Sequence, residues 1–219
     1  MFRSFALVGL CAALMTGSLP ASAQGRGDWS VGANIGTLGF GPEIAYSVSP
    51  SLTLRGAGNF LEYDYDTNVD GIDYDLNLDF VSAGAFVDLH PMRNGFHFSL
   101  GALYNDNTAG LLATAQNGSV IGGTTVVGGP VGLRGDLSVD EFAPYLGLGW
   151  DSTFTSRSNW SFTLRAGVLY QGQPEVTLVQ TAGPPVPLID LEAEANQIED
   201  DLTFLELYPV VSIGLNYRF

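Results

Sequence analysis

The feature that most constrains this chain is a strict alternation of apolar and small polar residues, repeated in several separate segments. Near the C-terminus Val211, Ile213, Leu215, Tyr217 and Phe219 alternate with Ser212, Gly214, Asn216 and Arg218. Trp160, Phe162, Leu164, Ala166, Val168 and Tyr170 do the same against Ser161, Thr163, Arg165 and Gly167. Phe96 to Tyr104 and Trp29 to Gly36 repeat the pattern. A period of two places one set on each face of a β-strand. In a soluble sandwich the polar face meets water and is commonly rich in lysine; in a membrane barrel the apolar face meets lipid and the small polar face a crowded lumen. Here the polar set is rich in Gly, Ser, Asn and Arg, and the chain has no lysine at all. The barrel is the better account.

Charge and cysteine content narrow the function classes. The 219 residues carry 23 acidic and eight basic side chains, a formal net charge of −15. That is the wrong field for nucleic acid, whose binding rests on Lys and Arg neutralising phosphates. A single Cys cannot form an internal disulfide, and 46% hydrophobic residues exclude a disordered chain. The opening Met1-Phe2-Arg3, the apolar run Phe5–Met15 and the small residues up to Ala23 predict a secretory signal peptide over residues 1–23, cleaved to leave one domain, 24–219. The apolar run is too short for a membrane helix, and Leu10 before Cys11 argues against lipidation.

The chain stops at Tyr217-Arg218-Phe219, at the end of an alternating strand. Here it resembles the bacterial outer-membrane β-barrel proteins, whose last strand typically ends in Phe. The likeness is greatest to small barrels of the OmpW and OmpA transmembrane-domain type, to which Ala143-Pro144-Tyr145-Leu146-Gly147-Leu148-Gly149-Trp150 is also similar. The resemblance implies insertion into the outer membrane of a Gram-negative bacterium, among lipid and lipopolysaccharide, with the barrel-assembly machinery as partner during biogenesis. A monomer is the default expectation.

Three short junctions, Ser47–Ser51, His90–Gly95 and Thr155–Asn159, carry turn chemistry and fit periplasmic turns. They predict an all-β antiparallel transmembrane barrel with strands near 29–36, 39–48, 52–66, 72–89, 95–105, 140–154, 159–171 and 207–219. The outer loops are then Thr37–Gly39, the acidic tip Thr67–Gly71, a long stretch 106–139, and 172–206. Alternation at Val131, Leu133, Leu137 and Val139 leaves two alternatives: an added hairpin, giving ten strands, or a strand prolonged far beyond the bilayer. Leu188, Leu191, Ala195, Ile198, Leu202 and Leu205 recur at helical spacing among seven acids, and predict a short acidic helix in the last long loop.

Three constellations carry candidate chemistry. Glu43, Arg55 and Arg165 fall on inward faces, with Glu43 and Arg55 in diagonal reach across the Ser49-Pro50 turn. Charges buried in a narrow lumen need partners, so these three predict an interior charge network. Asp66, Asn68 and Asp70 followed by Gly71 match the first half of a calcium loop, but the twelfth position is Asn77 where Glu is wanted. A Ca2+ or other divalent site there competes with a plain solvated hairpin tip, although an anionic tip beside lipopolysaccharide would favour divalent cations. His97-Phe98-Ser99 resembles the His-x-Ser arrangement of outer-membrane lipid A deacylases, yet no Glu follows within 40 residues and Leu100 stands where a polar residue belongs. The other histidine, His90, falls in a turn, so the sequence offers no His-based metal site.

The resulting expectation is a non-enzymatic outer-membrane barrel providing a narrow, porin-like passage for small molecules, without a resident cofactor. The alternatives are an envelope-structural or surface-interaction barrel acting through acidic loops, and a barrel-embedded lipid A hydrolase.

Overall fold

Alternating strands can bury their polar face away from lipid only by closing on themselves, since an open edge in hydrocarbon leaves backbone groups unpaired. The computed structural model describes residues 28–69 and 72–219, with the side chains of 66–69 and 72–74 left aside. The expected signal peptide lies outside the described residues. Along the chain run β1 (Trp29–Gly36), β2 (Gly39–Ser49), β3 (Leu52–Val69), β4 (Ile72–Leu89), β5 (Phe96–Asn105), β6 (Thr108–Ala115) and β7 (Val120–Ile121). They are followed by β8 (Thr124–Thr125), β9 (Val131–Ser138), β10 (Phe142–Asp151), β11 (Trp160–Tyr170), β12 (Glu175–Ala182), α1 (Leu188–Asp201), a 3-10 turn (Thr203–Glu206) and β13 (Leu207–Arg218).

The sheet closes through eight antiparallel neighbours. β1 through β5 pair in sequence, β5 pairs with β10, β10 with β11, β11 with β13, and β13 returns to β1, where Ser30 faces Arg218 and Gly36 faces Ser212. The ten-stranded alternative is not realised. The outward residues form an exposed apolar wall: Ile44, Leu54, Val87, Leu100, Leu146, Leu164 and Ile213 at mid-height. Aromatic pairs lie toward both ends. Trp29 meets Tyr46, Phe96 meets Phe98 and Trp160 meets Tyr217 near the short turns, and Phe40 meets Phe60 at the opposite rim. An apolar band between aromatic girdles is the signature of a transmembrane barrel.

The stretches expected as loops at 106–139 and 172–206 are largely built. Above the rim β4 pairs with β6, β6 with β9, and β9 with β12, so the wall continues upward on one side. Pairing offsets survive the breaks: Ser82 faces Asn105 and Asp79 faces Thr108; Phe142 faces Tyr104 and Ser138 faces Thr108. The alternation at 131–139 therefore marks prolonged strands, the second of its two expected meanings. The continuation was hard to read at β6 because Ala is a weak strand former and Leu111-Leu112 breaks the apolar/polar alternation; pairing to β4 and β9 decides its conformation. At the β11–β12 break Gly172 takes a left-handed φ of +69°, and a Cβ there would lie 2.1 Å from the Asp140 carboxylate. Only glycine fits both demands.

The expected helix spans Leu188–Asp201, ending before Leu202 and Leu205, which belong to the irregular turn that follows. Pro187 precedes its first turn, as suits a residue lacking a donor. Leu191 packs in a cluster with Ile121, Val126, Val131 and Val186. Its carboxylates fasten it: Gly122 N–H donates to Glu194 (2.8 Å), Thr124 Oγ1 to Asp190 (2.6 Å), and Val176 N–H to Glu199 (2.7 Å). The helix is thus docked against the β7–β8 hairpin and β12.

Candidate functional site: the barrel interior

The inward faces of the eight strands stack in three layers. Nearest the short turns lies an ionic layer. Arg165, on β11, grips Glu43, on β2, with two hydrogen bonds of 3.0 Å and reaches Asp151 at 3.0 Å. Arg55, on β3, donates to Asp88 on the adjacent β4 at 2.8 and 3.3 Å and lies 4.0 Å over the Phe86 ring. The Glu43–Arg55 approach is 3.7 Å, an ionic contact longer than a hydrogen bond. Asn216 Nδ2 donates to Glu43 at 3.0 Å, and the Ser99 hydroxyl donates to Asp88. The ionised side chains here are at most 6% exposed.

The structure therefore brings Glu43, Arg55 and Arg165 into one network, and corrects its wiring. Glu43 binds chiefly Arg165 across the lumen, and Arg55 binds chiefly Asp88. The diagonal register is as expected, with Glu43 facing Ala57 and Ala45 facing Arg55, but Arg55 is drawn to the directly neighbouring strand. Asp88 and Asp151 complete the network and were missed. A signal for them exists: Val87 and Leu89 face out, so Asp88 must face in, and Asp151 follows the outward Trp150 in the same way.

Above the ionic layer Leu38, Phe86, Leu103, Ala143, Tyr145, Leu169 and Val210 form a buried apolar plug, with Phe86 edge-on to Tyr145 at 5.3 Å. A third, amide layer follows at the outer rim. Asn59 donates to Ser82, and Asn105 donates to Gln171. The cavity left at the junction of ions and plug is about 30 Å³, lined by Asn34, Glu43, Arg55, Phe86, Tyr145 and Arg165. That is room for about one water. Beneath the ionic layer a cavity of about 550 Å³ opens at the short-turn end, lined by Asp28, Thr53, His90, Arg93, Asp151 and Arg218 among others.

The other sequence candidates fare differently. Asp70 lies outside the described residues, as do the side chains of Asp66 and Asn68; by register Asp66 stands opposite Asp75 in the β3–β4 hairpin. His97 and Ser99 are inward neighbours, 0% and 1% exposed, but Ser99 is committed to Asp88 and His97 Nδ1 to the Gly95 carbonyl at 3.2 Å. No Ser–His hydrogen bond exists to activate the hydroxyl. His90, expected merely in a turn, is brought against His97, with ring centroids 5.1 Å apart. Outside the membrane, Arg134 forks onto Asp136 (3.0 Å), whose hydrogen bonds, and then its charge, hold the guanidinium above its ordinary pKa.

No protein-family model matches the sequence, and no curated protein matches it. Among solved structures the chain is similar to Acinetobacter baumannii CarO, at 24% identity and TM-score 0.62, covering 87% of this chain and 97% of that one. It is also similar to Acinetobacter baumannii CarO2, at 23% identity and TM-score 0.63, covering 90% of this chain and 100% of that one. At these identities the likeness is one of fold. The fold is that of a small bacterial outer-membrane β-barrel, eight strands in a closed antiparallel ring.

Proposed function

We propose that the protein is a sealed, non-enzymatic outer-membrane barrel that acts through its acidic outer sheet and helix. The observation that carries this reading is the occluded lumen: above the short-turn cavity the ions, apolar plug and amides fill it, leaving about 30 Å³ at the junction of ions and plug. An eight-stranded barrel is narrow enough to be filled by its own side chains. The outer part is correspondingly elaborate. All acidic residues except Asp28, Glu43, Asp88 and Asp151 fall in the connections 61–80, 106–141 and 171–206, which hold a single arginine, Arg134. Such a field attracts cations and cationic partners and repels anionic ones, and divalent cations would reconcile it with neighbouring lipopolysaccharide. The short turns then face the periplasm. Against hydrolysis stand the burial of Ser99 and its bond to Asp88.

The porin-like passage is the second reading, favoured by the 550 Å³ periplasmic cavity, which leads up to the ionic layer. Planar-bilayer recording separates the two. Wild-type protein should give no steady unitary current, whereas Phe86→Ala with Leu103→Ala, which opens the plug, should give small cation-preferring steps. Regular wild-type openings would overturn the sealed-barrel reading in favour of a passage.

A further inference from the structure

The chain has two histidines, and the fold sets them face to face. The last β4–β5 pair is Leu89 opposite Phe98. His90 follows the one and His97 precedes the other, so they occupy the next cross-strand position on the inward face. They are 7% and 0% exposed, their rings 5.1 Å apart and inclined at 48°. Each Nδ1 is tied to a backbone carbonyl, His90 to Asn94 at 3.0 Å and His97 to Gly95 at 3.2 Å. With Nδ1–H donating, the Nε2 lone pair of each ring is left for another partner. His97 Nε2 is buried with none.

A buried acceptor without a donor is costly, and an imidazole whose Nδ1–H is held by a carbonyl is the usual state of a metal-ligating histidine. Two Nε2 atoms bound at 2.0–2.1 Å to one tetrahedral ion put their ring centroids about 5 Å apart. We propose that His90 and His97 form a two-imidazole site for a borderline divalent transition-metal ion, Cu2+, Zn2+ or Ni2+, reached from the periplasmic cavity. His90 lines that cavity beside Thr53 and Asp151. Its charged groups, Asp28 and Asp151 with Arg93 and Arg218, are balanced in sign, so the imidazoles and not the local field select the ion. Among the described residues no third His, Cys, Asp or Glu joins them in a ligand group. The remaining positions go to water, which makes this an open, exchangeable site. Imidazole selects these ions, whereas the carboxylates at the opposite end of the barrel suit Ca2+ and Mg2+.

The test uses tag-free full-length protein folded in detergent micelles, given one equivalent of Cu2+ and examined by electron paramagnetic resonance. The expected spectrum has hyperfine structure from two imidazole nitrogens, and Zn2+ should displace the copper. His90→Asn and His97→Asn should each reduce that structure to one nitrogen and weaken binding by more than the roughly 10–100-fold that loss of a second-shell partner costs. Should His97→Asn fail to fold, His90→Asn at the turn decides alone, with heat-modifiable gel mobility confirming its fold. An oxygen-only spectrum, or a two-nitrogen spectrum that survives His90→Asn, would overturn the proposal.

Discussion

Glu43 is the residue on which the interior turns. It accepts two hydrogen bonds from Arg165 and one from Asn216, and its charge also faces Arg55. Replacing it by Gln keeps the shape but leaves Arg165 bonded to the Asp151 carboxylate without its principal partner. Removing one member of a buried ion pair costs about 3–5 kcal/mol, because the other charge stays desolvated. Glu43→Gln should therefore destabilise the folded barrel on that scale in urea titrations. A double-mutant cycle should find stronger coupling between Glu43 and Arg165 than between Glu43 and Arg55, since the first pair has two 3.0 Å bonds and the second a 3.7 Å contact. Equal couplings would mean that the charge is shared evenly and the geometric distinction has no energetic content.

At the scale of elements, α1 owes its position to a small apolar contact and three carboxylate bonds, and both can be tested. Leu191→Asp places a charge in the cluster of Ile121, Val126, Val131 and Val186, none of which carries a charge to pair with it. The helix should detach, and limited proteolysis should cut within 183–206 while the heat-modifiable mobility of the barrel stays normal. Coincident loss of both would show that the helix is integral to barrel folding. The approach is close. Gly122, at φ +56°, would place a Cβ 1.8 Å from the Asp190 carbonyl oxygen, so Gly122→Val should mimic Leu191→Asp. The helix was legible because its apolar spacing departs from the period of two. The barrel strands were legible because lipid outside and a crowded lumen inside enforce strict alternation. β9 was half legible, its alternation at 131–139 leaving two meanings, and β6 and β12 were not: Leu111-Leu112 in β6 and Leu178-Val179 in β12 break the period of two. The interior network was half legible. Inward-facing charges announced themselves by parity, but choosing Asp88 over Glu43 as the main partner of Arg55 required the strand neighbours. The histidine pair was concealed for the same reason, one member being hidden in a turn.

Over the whole molecule, the closed ring and its one-sided extension should differ in stability even though they share strands. Every barrel strand has hydrogen-bonded neighbours on both sides, so opening any amide there requires breaking the ring. The extension has two free edges. Beyond Phe60 β3 pairs with β4 alone, because its last β2 partner is Phe40, and β12 pairs with β9 alone, with Glu199 holding the Val176 N–H at its start. The paired residues Glu62 and Asp79 also place like charges directly opposite each other on the hairpin, an arrangement that destabilises a ladder. Local openings follow such differences in edge pairing and burial. Hydrogen exchange on the protein in lipid nanodiscs should therefore show slow amides through β1, β2, β5, β10, β11, β13 and the barrel halves of β3 and β4. Exchange should be faster in residues 61–69, β12 and the β7–β8 hairpin, with β6 and β9 between the two classes. Added Mg2+ should slow 61–69 more than β12, because screening relieves the opposed acids of the hairpin. Uniform protection across the rim would mean that the outer sheet is stabilised by something other than its own pairing, and a partner seated on the free edge of β3 would be the first place to look.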